Sequence, residues 1–204
     1  MNFAVVVLRI LALILASFIF WKKLKEDYPN EEIFFLTILM LVSGNIGGRF
    51  FQAQGAFLGG ILPLILFSKI KKWNPWQAAD AVIYPFLLIF LILNFSKIIY
   101  VFSWLTLLMM TLGLGVLVSS LRIEKTYRSF LWYKSGKVGF LACFAILAFF
   151  GPFLLLEFFL KKELYWHLFS DFGILIITAI FLYHRSERKF SEDWQFFKKR
   201  ILKR

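Results

Sequence analysis

The apolar residues of this chain come in unbroken blocks, and that arrangement restricts its fold more than any other feature. A half-buried helix repeats apolar residues every three or four positions, and a half-buried strand every two. Neither period accounts for Phe3–Trp21, Ile33–Phe51, Ala56–Ile70, Ala78–Phe95, Ile98–Leu121, Val138–Leu160 and Leu164–Tyr183. A helix needs about 20 mostly apolar residues to cross a hydrocarbon core about 30 Å thick, and most of these blocks provide them. The third is short, roughly 15 residues or about 23 Å of helix. It either begins earlier, at Phe50, or belongs to a hairpin with the second. A barrel would need alternating segments of about ten residues instead. The expected fold is an all-α integral membrane protein: a seven-transmembrane-helix bundle occupying residues 1–184 as one domain.

Composition agrees with the block pattern. The 204 residues are 60% hydrophobic and 18% charged, which leaves no room for a separate soluble domain. A formal net charge of +12 in so apolar a chain reads as basic loops facing an anionic leaflet, not as a nucleic-acid surface. The single cysteine, Cys143, lies inside an apolar block and reads as a small filler, so no disulfide framework or cysteine metal site is expected. Met1-Asn-Phe-Ala lacks a basic n-region, and no small-residue cleavage site precedes Lys22 and Lys23. The first block is therefore read as a retained span and not a signal peptide.

The loops give a direction. Lys22, Lys23 and Lys25 follow the first block, and Lys69, Lys71 and Lys72 follow the third. Arg122, Lys125, Arg128, Lys134 and Lys137 lie between the fifth and sixth. Arg185, Arg188, Lys189, Lys198, Lys199, Arg200, Lys203 and Arg204 follow the seventh. The alternate loops hold only Lys97, Lys161 and Lys162, with Arg49 near the end of the second block. The positive-inside rule then puts the N-terminus outside and the C-terminus in the cytoplasm. Residues 185–204 form a basic tail. In it Trp194, Phe197 and Ile201 share one helical face behind the N-cap candidate Ser191, as a short amphipathic helix in the cytoplasmic interface would. A regulatory or partner-binding helix is the other reading.

Polar and glycine residues inside the blocks are the candidates for function, because intramembrane charge is costly and usually sequestered. Six of the twelve glycines fall between Gly44 and Gly60. Gly44/Gly48 and Gly55/Gly59 are small-xxx-small pairs that let helices approach closely; alternatively, this backbone meets a lipid headgroup with Arg49 as phosphate partner. Arg9, near the middle of the first span, is either an anion partner inside the bundle or a snorkelling cation. Asp80 opens the fourth span as a cavity residue or as a cap of that helix after Asn74-Pro75-Trp76. Asn94 closes the same span at the interface. Glu157 is either a carboxylate in a cavity or the i, i+4 partner of Lys161. His167 and His184 read as interfacial. No metal-ligand cluster, phosphate loop, nucleophile elbow or redox cysteine pair occurs, and no cofactor is expected.

Three stretches resemble bacterial prolipoprotein diacylglyceryl transferase, a seven-helix inner-membrane enzyme with its N-terminus outside. One is the basic loop from Phe20 to Glu32 followed by Gly44-Asn-Ile-Gly-Gly-Arg49. Another is Phe51-Gln-Ala-Gln-Gly-Ala-Phe57-Leu58-Gly59-Gly60, with Trp76-Gln-Ala-Ala79-Asp80 after it. The last is Ser135-Gly-Lys-Val-Gly139-Phe with Phe153-Leu-Leu-Leu-Glu157. The resemblance implies transfer of a diacylglyceryl group from phosphatidylglycerol to the lipobox cysteine thiol of a preprolipoprotein. It implies preprolipoprotein signal peptides as partners and the bacterial inner (cytoplasmic) membrane as location.

Carried over residue by residue, the site comprises Glu157 as catalytic carboxylate with Arg49, Gly59, Gly60 and Asp80 on the substrate. Arg9 joins them from its place in the first span. The departures are definite. The family's histidine before the Gly-Gly pair is Leu58. Its Arg-x-Gly-Asn signature falls near Asn94-Phe-Ser-Lys97, and its arginine before the sixth-helix glutamate is Pro152 or Phe153. Thiol deprotonation needs a base and the departing glycerol phosphate needs cations. A catalytically inactive family member that binds lipid or lipoprotein is therefore the alternative. A small transporter is disfavoured, because no internal repeat or pair of broken helices stands out.

Overall fold

The structure is a computed structural model that describes residues 3–100, 102–130, 132–133, 135–160 and 165–187. Every regular element among them is helical: α1 (Phe3–Leu24), α2 (Asn30–Lys71), α3 (Pro75–Tyr100), α4 (Trp104–Glu124), α5 (Phe140–Leu160) and α6 (Tyr165–Arg185), with a 3-10 turn at Tyr127–Ser129. The amphipathic tail expected around Ser191–Ile201 lies outside the described residues.

Helix α2 is a hairpin. Its 42 residues would extend about 63 Å if straight. Yet Lys71 Nζ lies 2.8 Å from Glu32 Oε1, and Ser43 Oγ lies 2.6 Å from the carbonyl of Gly59. The chain reverses between Gly48 and Gly55, and two arms run antiparallel from there. The turn region is glycine-rich because the backbones nearly touch. A β-carbon at Gly47 would overlap the Gly55 carbonyl, and one at Gly59 would overlap that of Ser43. Ser43 Oγ is also 2.6 Å from Leu39 O, so its single proton is shared between its own arm and the facing one.

Local chemistry sets the other boundaries. Lys72 ends the second arm in the left-handed region (φ 58°), and Trp73 N–H donates back to Ser68 O at 2.8 Å. Asn74 Oδ1 then accepts the N–H of Trp76, and Pro75 takes the first helical position, where no N–H is needed. The sequence pattern placed a break near Phe95–Ile98. The structure instead carries α3 through Lys97 to Tyr100. Asn94 and Ser96 do not interrupt it, because their side chains donate to Phe90 O (2.8 Å) and Leu93 O (2.7 Å) of the same helix. Asn94 is accordingly buried within the bundle and not interfacial.

Helix α1 packs chiefly on α3 through Ala12, Ala16, Phe20 and Leu24, buried at every fourth position, with small alanines admitting close approach. Ile83 and Leu87 of α3 form a core with Val116 of α4 and Ala142, Ala145, Phe149 and Phe150 of α5. The outer faces are strongly apolar: Ile10, Ile14 and Phe18 on α1 and Phe34, Ile38 and Val42 on α2 are all exposed. Water would not tolerate so continuous an apolar surface, whereas lipid tails match it. Val5–Leu24, Asn30–Phe50, Pro75–Ile99 and Trp104–Glu124 are each long and apolar enough to cross a bilayer, and Phe140–Leu155 is a shorter apolar helix. These helices mark the chain as a membrane protein.

Candidate functional site

The ion pairs of Lys23, Lys71 and Lys137 and the hydrogen bonds that join helices through Asp80 and Arg185 collect at one end of the bundle, where α1, both arms of α2, α3, α4, α5 and α6 all begin or end. Glu32 accepts from Lys71 and from Trp73 Nε1 (3.0 Å), closing the open end of the hairpin. Tyr28 stacks on Trp73 with ring centroids 4.0 Å apart and accepts the N–H of Asn74 through its hydroxyl. Asp27 accepts from Gln77. Glu124, at the end of α4, accepts from Tyr84 Oη (2.8 Å) and pairs with Lys23 (2.5 Å), whose ammonium sits 4.5 Å over the Tyr84 ring.

Asp80 organises the start of α5. Its Oδ2 accepts the N–H of Gly139 at 2.6 Å and its Oδ1 that of Ala142 at 2.8 Å. It thus caps α5 and not its own helix, supplying acceptors to donors that a helix start leaves open. Gly139 has φ +100°, and a β-carbon there would stand 2.7 Å from the Trp76 ring, so the position requires glycine on two counts. Arg185, at the end of α6, donates to Val138 O and lies 4.3 Å over Trp76, while its carbonyl accepts from Ser135 Oγ at 2.5 Å. One junction thereby joins α3, α5, α6 and the loop before α5.

The candidate residues do not all converge. Gly59 faces Gly44 and Ser43 inside the hairpin, with the Gly60 N–H close by. Arg49 lies near the hairpin tip, exposed and in no ion pair among the described residues. It stands 19 residues from Asn30, about 28 Å from the polar end, whereas Asp80 is about 8 Å from that end. Asp80 and Arg49 are therefore about 20 Å apart in depth along the bundle. Arg9 lies on the exposed face of α1. Leu58, which stands where the resembling family has histidine, is 55% exposed. Glu157 belongs to α5, but its side chain lies outside the described residues, as does that of His167.

Two features escaped the sequence reading. Asp171 on α6 is fully buried and partnered. A carboxylate within the apolar run Phe169–Ile180 was the available signal. The Trp76–Gly139–Arg185 junction gave none, because its members are distant in sequence and nothing in the sequence pairs them. No group of three or more metal-ligating side chains occurs among the described residues. Comparison with protein-family models, curated proteins and solved structures finds no match to this chain.

Proposed function

We propose that the chain is a phospholipid-handling membrane protein of prolipoprotein diacylglyceryl transferase type. In this reading seven helical passes, counting both arms of α2, cross a bacterial inner membrane with the N-terminus outside and the basic end cytoplasmic. The observation that carries it is the Asp80–Gly139 hydrogen bond, through which two of the stretches that bear the resemblance meet each other. The glycine hairpin supports it as well, since it presents Arg49 beside tightly apposed backbone at the end away from the basic loops. There Arg49 binds the phosphate of phosphatidylglycerol, and Glu157 is the remaining carboxylate for proton transfer.

A second reading, a catalytically inactive member that binds lipid or lipoprotein, is favoured by specific observations. Both oxygens of Asp80 are occupied by backbone amides, and Leu58 supplies no base. Complementation of a transferase-deficient bacterium separates the two readings. Lipid attached to a lipobox cysteine by the wild type, and lost in Arg49→Ala, supports transfer. A well-expressed wild type that attaches no lipid leaves the inactive reading.

A further inference from the structure

Helix α4 has two unlike faces. Met109, Gly113, Val116 and Ser120 are buried against the bundle, and a β-carbon at Gly113 would press on the Phe90 ring at 3.0 Å. The neighbouring face, with Leu108, Thr111, Gly115 and Ser119, borders an open groove of about 620 Å³ whose other wall is α5 from Phe144 to Leu155. A β-carbon at Gly115 would meet nothing within 4 Å, so the small residue there leaves space and does not allow a helix to approach. The walls run 12 residues on each helix, roughly 16 Å from first to last, close to half of a hydrocarbon core about 30 Å thick. The same face of α4 continues, three residues beyond Ser119, to Arg122, which is exposed and in no ion pair among the described residues. It lies at the polar, basic end of the bundle.

We infer that this groove seats one acyl chain of an anionic phospholipid, with its phosphate on Arg122. Apolar walls one leaflet long explain the tail, and a cation where the groove reaches the interface explains the headgroup. The site lies in the leaflet on the basic side, away from Arg49, and it does not depend on the transferase reading. Its test uses the full chain released from vesicles of equimolar phosphatidylserine and phosphatidylcholine, with bound lipid read by native mass spectrometry. The wild type is expected to retain phosphatidylserine preferentially. Arg122→Gln is expected to keep a lipid but to lose about five-fold of that preference. Gly115→Leu sets its β-carbon in open space and its side chain toward the groove, and should abolish retention; Ser119→Leu, a second groove-filling variant, should do the same. Equal retention of both lipids by the wild type overturns the inference, as does undiminished retention in the filled variants. A dimer without lipid also overturns it, by assigning the groove to a second copy of the chain.

Discussion

Asp80 on α3 holds the first turn of α5 through Gly139, 59 residues further along the chain, at 2.6 Å. Asp80→Ala leaves the amides of Gly139 and Ala142 without their acceptors. A buried unsatisfied donor costs about 1–3 kcal/mol. Thermal unfolding in detergent should fall by about 2–4 °C for each kcal/mol lost at this chain length. Asp80→Asn keeps one acceptor oxygen and should lose less than the alanine variant. An unchanged midpoint for Asp80→Ala would remove the junction from the account of stability.

The hairpin in α2 makes a distance prediction. Glu32 and Lys71 are ion-paired, whereas 39 residues of uninterrupted helix would separate them by about 58 Å. Glu32→Cys with Lys71→Cys, in a Cys143→Ala background, should cross-link within one chain using a short bismaleimide. Absence of intrachain product, at full labelling of both thiols, would contradict the antiparallel arms.

The glycines divide into those that admit close approach and those that do not. Gly47→Ala, Gly59→Ala and Gly139→Ala each place a methyl group against backbone or the Trp76 ring, and each should destabilise by about 1–3 kcal/mol. A β-carbon at Gly60 or Gly173 meets nothing within 4 Å. Alanine at either helical position should be neutral or stabilise by about 0.5–1 kcal/mol. Chemical denaturation in mixed micelles ranks the five variants, and a reversed ranking would discount the packing argument.

The proposed orientation is checked by thiol labelling in intact cells. With Cys143→Ala as background, Lys72→Cys and Lys25→Cys should resist a membrane-impermeant maleimide until the cells are opened. Phe102→Cys, between α3 and α4, should react from outside. The opposite pattern would invert the topology.

The bilayer as solvent was readable from the blocks themselves, because membrane crossing demands length and apolarity and little else. The hairpin was readable in part: the short third block and the Gly44–Gly60 cluster pointed to a close turn, though not to the Ser43 proton shared between the arms. The end of α3 was misplaced because Asn94 and Ser96 look like interfacial residues in a sequence, while inside a helix they satisfy themselves on Phe90 and Leu93. Asp80 shows the same limit. Its sequence neighbours suggest a cap of α3, and only the tertiary arrangement shows that the amides it serves belong to α5. Asp171 fell inside the seventh apolar block and was not singled out, because one carboxylate in such a run does not show in the sequence that it is fully buried.

The hairpin also bears on how the chain enters the membrane. Its second arm carries Pro63 and is the shortest of the apolar blocks, so it has the weakest claim to insertion alone. The first arm, Asn30–Phe50, is long and apolar enough to cross a bilayer. With Gly47 against Gly55 and Gly59 against Ser43, the two arms present one closely packed apolar unit. The expected route into lipid is therefore as a pair, with the first arm acting as carrier for the second.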